Sequence, residues 1–217
     1  FQTIIPSYDK DNLDRPLCCG RTYISYGQLD KAANELNRFN DYIIKNDYYN
    51  LPVVGIEPSC LLTFSDEYQK LKDVKNREKI KNKFYLLEEF ILEHIDNNNN
   101  IKINKFDQNV LIHGHCHQKS QDRMKGLKNL LSKLKINNKM IESSCCGMAG
   151  SFGYDSKHYE ISKKMANLSL IPAVNNSDEK DFIIANGTSC RHQISDLSDK
   201  KGKHVSELLF KIFETVN

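Results

Sequence analysis

Two Cys-Cys-Gly triplets constrain this chain more than anything else in it: Cys18-Cys19-Gly20 and Cys145-Cys146-Gly147. Each precedes a helical stretch, then an apolar strand-like run, then one further cysteine, Cys60 in the first copy and Cys190 in the second. Adjacent cysteines rarely bridge each other without strain, but they can offer two thiolates to one compact inorganic site. The same order occurring twice argues for a duplicated cysteine-ligated metal or iron–sulfur module. The second copy adds Cys116 on the preceding strand. The first has no counterpart, so its opening strand and helix are expected upstream of Phe1.

The seven cysteines are odd in number and fall in a mixed α/β pattern, unlike the short, loop-rich scaffold of a secreted disulfide protein. Charged residues at 27% and hydrophobic ones at 39% are ordinary for a globular protein. A net charge of +3 with dispersed lysines gives no footprint for nucleic acid. Neither a transmembrane run nor a signal peptide is visible, so the expected place is the cytoplasm or, peripherally, the inner face of the membrane.

Apolar periodicity predicts an α/β fold made of two tandem related units, with mostly parallel strands flanked by helices and the first unit truncated. The units are expected over residues 1–96 and 101–217, with Asn97–Asn100 as linker. In the first, a short strand (Phe1, Ile4, Ile5) leads through Cys18-Cys19-Gly20 to a helix over 28–45. Val53, Val54 and Ile56 form a strand, and a charged helical segment runs over 66–96. In the second, Val110 to Ile112 form a strand that His113-Gly114-His115-Cys116-His117 continue. Helices follow over 120–134, over 157–170 (stopped near Pro172) and over 204–213. Further strands hold Met140-Ile141 and Phe182 to Ile184.

Cys116, Cys145, Cys146 and Cys190 each fall at or just after the carboxyl end of an expected strand. Parallel strands bring those ends to one edge, so four thiolates can meet there. Thiolates suit iron–sulfur clusters and zinc. The spacing is not the Cys-x-x-Cys of ferredoxins or zinc ribbons. Gly147 and Gly20 let the backbone turn sharply and bring an amide to a sulfur. His113, His115 and His117 alternate along the expected strand and so share one face. His115 is taken as a candidate for cofactor contact, while His192 is weaker. Met148, Phe152 and Tyr154 can shield a centre from water, though packing explains them equally well.

The run Cys145-Cys146-Gly147-Met148-Ala149-Gly150-Ser151-Phe152-Gly153-Tyr154, with His113-Gly114-His115-Cys116-His117-Gln118-Lys119 before it and Gly187-Thr188-Ser189-Cys190-Arg191 after it, resembles the cysteine-rich CCG domain. The nearest likeness is to the C-terminal part of FAD-linked oxidases fused to an iron–sulfur region, of the glycolate oxidase and D-lactate dehydrogenase type. Leu17-Cys18-Cys19-Gly20-Arg21 and Val54-Gly55-Ile56-Glu57-Pro58-Ser59-Cys60 resemble that family's first copy. Related domains occur in the iron–sulfur component of glycerol-3-phosphate dehydrogenase, in lactate-utilisation proteins and in the cysteine-rich component of heterodisulfide reductase.

The resemblance implies an iron–sulfur electron-transfer domain of an FAD-linked D-2-hydroxy-acid dehydrogenase, inactive alone. It implies a 4Fe-4S cluster at the second copy, and zinc, a degenerate site or nothing at Cys18, Cys19 and Cys60. FAD would sit on an upstream domain or on a partner polypeptide, with a quinone or cytochrome as acceptor. One departure is clear: the corresponding repeats of heterodisulfide reductase end in Cys-x-x-Cys, whereas Cys190-Arg191-His192-Gln193 and Cys60-Leu61-Leu62-Thr63 keep only the first cysteine. The alternatives are a structural zinc docking domain and a thiol–disulfide module like heterodisulfide reductase.

Overall fold

A computed structural model describes residues 2–7, 11, 13–97, 101–143 and 145–215. It divides into two compact units. One comprises 1–53 and 59–84, the other 54–58 and 85–217. A two-stranded ribbon pairs β1 (Val53–Gly55) with β2 (Phe84–Leu86). Most of the four-asparagine stretch, residues 98–100, lies outside the described residues.

The first unit is mainly helical: α1 (Arg21–Ser25), α2 (Leu29–Lys45), α3 (Pro58–Ser65) and α4 (Glu67–Lys70). Ala32, Ala33, Leu36 and Ile43 recur at helical spacing and give α2 its buried face. Ala33 and Leu36 pack with Cys19, Phe64, Tyr68 and Val74. Glu35 is buried on the same helix, and Arg15 and Arg38 both pair with it. Those two guanidinium groups lower its carboxyl pKa against the opposing effect of burial.

The second unit is built on a parallel sheet of order β5-β4-β6: β5 (Asn138–Met140), β4 (Val110–His113) and β6 (Phe182–Ala185). Ile112 of β4 faces Met140 on one side and Ile184 on the other. Side chains alternate across the sheet. Val110, Ile112, Phe182 and Ile184 face one helical layer, from α5 (Leu87–His94), α7 (Met124–Lys133) and α11 (Val205–Ile212). Leu111, Ile183 and Ala185 face the other, from α8 (Tyr159–Ala166), α9 (Leu170–Asn175) and α10 (Thr188–Leu197). Helices on both faces explain why β6 is buried along its whole length and reads as a continuous apolar run. The α/β class with parallel strands expected from the sequence is what the chain adopts.

Several local expectations are corrected. The helix over 66–96 is absent: α4 is short, Asn76 turns the backbone left-handed at φ 56, and β2 precedes α5. The aromatic pair Phe84-Tyr85 suits a strand, and Glu89 starts the helix by accepting from the Leu86 amide at 2.9 Å. The helix over 120–134 is two, α6 (Cys116–Ser120) and α7, broken where Asp122 takes φ 54. Pro172 lies in the first turn of α9 rather than beyond a helix end, where its missing amide hydrogen costs nothing. Residues 2–7 form no strand, while Phe1 lies outside the described residues. An antiparallel pair, β3 (Ile101–Ile103) with β7 (Phe213–Thr215), had no sequence signal.

Glu88 of α5 is 1% exposed, and its Oε1 accepts from Gln118 Nε2 at 2.8 Å and Asn186 Nδ2 at 3.0 Å. It thereby ties α6 to the turn after β6. Burial raises its pKa from 4.5 to about 7; the Glu89 charge adds to the rise, and the two amides only partly offset it. Between these pH values the folded state holds the proton more tightly than the unfolded chain does. Stability is therefore expected to fall as pH rises from 4.5 to 7, by about 3 kcal/mol in the limit, relative to Glu88→Gln. Denaturation of both proteins across that window checks this, and parallel curves would contradict it.

Candidate metal centre

The cysteines of the second unit gather at the carboxyl edge of the parallel sheet, because each strand there hands over to a turn or helix that carries one. β4 ends at His113, and Cys116 is the first residue of α6. Thus His113, His115 and His117 do not share a strand face. The strand stops because His115 caps α6, its Nδ1 accepting from the His117 amide at 3.2 Å. Cys145 and Cys146 follow β5, and Cys190 is the third residue of α10.

Four sulfurs form a connected set. Cys116 and Cys145 lie 3.6 Å apart, and Cys146 and Cys190 lie 3.3 Å apart. A hydrogen bond between Cys145 and Cys146 joins the pairs. All seven cysteines are free thiols. The Cys116 hydrogen bond, then that of Cys146, lowers Cys145 to about 2. Cys190 is held well below an ordinary thiol by Cys146, with help from His113 and His115. Cys116 and Cys146 are raised by their bonds to Cys145, by burial and by the Cys190 charge.

Local backbone sets this arrangement. Gly147 takes φ 89, and its amide donates to Cys145 Sγ at 3.2 Å. A methyl group there would overlap the Ser162 backbone oxygen, held in place by Gln193 Nε2 at 3.2 Å. Gly187 precedes α10, and a methyl on it would collide with the His115 ring and come within 3.2 Å of Cys190 Sγ. Glu57 Oε2 caps α10, accepting from both the amide and the hydroxyl of Thr188 at 2.9 Å. Arg191 reaches back to the carbonyls of Ala185 and Asn186 at 2.9 and 2.6 Å. Ser143, Ser162, Gln193 and Glu88 carried no motif signal, and Glu57 enters the sequence motifs only as part of the run leading to Cys60. Only their placement around the cysteines reveals them.

Other expected residues separate. Met148 is buried in the same cluster as Cys146 and Cys190. Phe152 stacks on His158, while Tyr154 is exposed with its hydroxyl 2.5 Å from His192 Nδ1. Burial lowers the His115 pKa.

The first unit repeats part of this chemistry. Gly20 takes φ 74 and its amide donates to Cys18 Sγ at 3.4 Å. Cys60 is the third residue of α3 and bonds with Cys19. Cys18 lowers the Cys19 pKa, but Cys60 and burial outweigh it and leave it at about 11. Cys18 is raised by its bond to Cys19 and by burial. Cys18 and Cys60 are exposed. Among the described residues, the one group of three or more donors drawn within 4.8 Å of one another is His113, Cys146 and Cys190. Cys18, Cys19 and Cys60 form no such group, and neither do any three cysteines of the second unit without a histidine.

A donor set of four sulfurs and a buried imidazole is soft. It fits iron–sulfur or zinc chemistry and not the oxygen cages of calcium or magnesium. No helix among the described residues is long and apolar enough to cross a membrane.

Comparison with known proteins agrees. The chain is 21% identical over 201 residues to one component of the anaerobic glycerol-3-phosphate dehydrogenase of Escherichia coli, covering 91% of this chain and 50% of that one. It is 24% identical over 198 residues to the D-2-hydroxyglutarate dehydrogenase of Haemophilus influenzae, covering 87% of this chain and 19% of that one. A Pseudomonas putida D-2-hydroxyglutarate dehydrogenase matches at 22% over 163 residues, 74% of this chain and 15% of that one. The chain therefore spans at most about half the length of these relatives. No solved structure matches. The relatives are dehydrogenases or parts of them. Residues 110–195 match the model of the cysteine-rich domain CCG.

Proposed function

We propose that the second unit is an iron–sulfur electron-transfer domain working with a flavin domain that oxidises a D-2-hydroxy acid. The observation that carries this reading is the convergence of Cys116, Cys145, Cys146 and Cys190, all free thiols, at one sheet edge. The likeness to dehydrogenases supports it. When bound, a 4Fe-4S cluster would accept and release single electrons there. The chain's own residues supply the rest. The donors would be drawn from the four cysteines, and the Gly147 amide hydrogen-bonds Cys145 Sγ, which would tune a thiolate ligand. Met148, Ile194 and Ala166 wall the site from water on the core side. A flavin partner, in the same polypeptide or another, and a quinone or cytochrome acceptor complete the proposal. Its place is the cytoplasm or the inner membrane face.

We read the first unit as an incomplete copy of the second. The shared left-handed glycine, amide-to-thiol bond and third-residue helical cysteine support this. Cys18, Cys19 and Cys60 would hold zinc or no metal.

The test uses the protein together with its flavin partner. Stopped-flow flavin absorbance is followed beside steady-state acceptor reduction. Cys146→Ser is expected to leave flavin reduction by substrate within about twofold while cutting acceptor reduction at least about tenfold. Unchanged acceptor reduction in a variant that has lost its metal would sink the relay role.

A further inference from the structure

The cysteines do not exhaust the donors at this edge. His113 closes β4 and is 1% exposed. Its Nδ1 lies 2.8 Å from Ser143 Oγ. Its Nε2 is fully buried and makes no hydrogen bond to an oxygen or nitrogen; on that side the ring hydrogen-bonds the Cys190 thiol. A buried polar atom without a nitrogen or oxygen partner commonly marks an ion site or a catalytic role. This one is not aimed at packing. It lies with Cys146 Sγ and Cys190 Sγ in a group whose members are all within 4.8 Å of one another. An ion with ligand bonds of about 2.0–2.3 Å needs only side-chain adjustment to reach all three.

The neighbouring histidine shows by contrast what an occupied ring looks like. His115 uses its Nδ1 as the cap of α6. On His113 the Nδ1 side faces a hydroxyl fixed from two directions. The Ser143 amide donates to the Ile141 carbonyl at 2.9 Å, and the Ser143 carbonyl accepts from Lys119 Nζ at 2.6 Å. A proton on Nδ1, donated to Ser143 Oγ, leaves the Nε2 lone pair free toward the sulfurs. An oxygen that holds the far ring nitrogen, fixing tautomer and ring plane, is the usual companion of a metal-ligating histidine.

We propose that His113 Nε2 is a nitrogen ligand of the centre held at Cys146 and Cys190, so that the site has a mixed nitrogen–sulfur donor set. Ser143 and Lys119 are then positioning residues for that ligand. The inference rests on the metal-centre reading above. A neutral imidazole in place of thiolate charge raises the reduction potential of an iron–sulfur centre, as histidine-ligated clusters show against all-thiolate ones. His113 would thus set the centre to accept electrons more readily than a four-cysteine site.

The experiment labels the protein with 15N-histidine, purifies it anaerobically and records pulsed electron paramagnetic resonance of the paramagnetic centre. Coupling of the strength of a directly bound histidine nitrogen is expected. It should change on exchange of 14N for 15N, persist in His115→Gln and vanish in His113→Ala. If His113→Ala does not fold, Ser143→Ala is expected to shift the coupling, and an unshifted signal overturns the proposal. Iron-loaded protein with no histidine coupling, or with only the weak coupling of a hydrogen bond, overturns it and leaves the relay reading standing. If the metal is zinc, its absorption edge decides. A sulfur–nitrogen shell supports the ligand while sinking the relay, and a sulfur-only shell overturns the ligand. Protein that binds no metal overturns both.

Discussion

Alanine at Gly147 is expected to cost roughly 3 kcal/mol of folding stability and to empty the second cysteine site. Two terms add. A φ of 89 places an L-residue in left-handed backbone, at about 1–2 kcal/mol. The new methyl also overlaps the Ser162 backbone oxygen, which cannot swing aside as a side-chain tip can. Overpacking of this kind costs about 1–3 kcal/mol. Relief requires α8 to move from the turn or the turn to open, and the turn carries Cys145 and Cys146. Gly150 gives the control, because its φ is 69 but nothing lies within 4 Å of an added methyl. Gly150→Ala is therefore expected to cost only about 1 kcal/mol and to retain metal. Chemical denaturation with metal content checks the pair. Equal losses at the two glycines would contradict the steric argument.

Cys146→Ser is expected to reduce metal loading more than any other single thiol replacement. Cys146 is an inner member of the sulfur set, bonded to Cys145 and Cys190, and unlike Cys145 it also belongs to the group with His113. A serine hydroxyl there is a harder donor, and it stays protonated at neutral pH. Removing even a partner of a metal ligand costs about 10–100-fold in affinity, and loss of a central ligand is expected to cost no less. Cys60→Ser, in the other compact unit, should leave iron at the second site unchanged. Iron assay of the two variants beside the unaltered protein checks this. Equal loss from both would show that the first-unit cysteines hold the iron.

How much of this was legible in the sequence depends on the range of the interaction that decides it. The sheet was readable because β4 and β6 are unbroken apolar runs and a strand buried on both faces needs no alternation. The meeting of Cys116, Cys145, Cys146 and Cys190 followed from parallel strands sharing one edge. The strand ending at His113 was not readable, because a histidine capping its own helix through Nδ1 leaves no pattern in residue types. The long charged helix over 66–96 failed since periodicity in Phe84, Leu87 and Ile91 masked a change from strand to helix at Leu86. Glu88 and Ser143 were invisible for a different reason. A carboxylate or hydroxyl placed by contacts 30 residues away has no local signature. The first unit is the least legible part, since its cysteines match the second unit's in order but no buried histidine joins them as His113 joins Cys146 and Cys190 among the described residues.

The most direct test of the account is iron and acid-labile sulfide analysis of anaerobically purified protein, read together with its visible spectrum. The account predicts bound iron with matching sulfide and a broad absorption near ~400 nm that bleaches on reduction, the signature of thiolate-ligated iron–sulfur centres. Colourless protein containing stoichiometric zinc and no sulfide would contradict it.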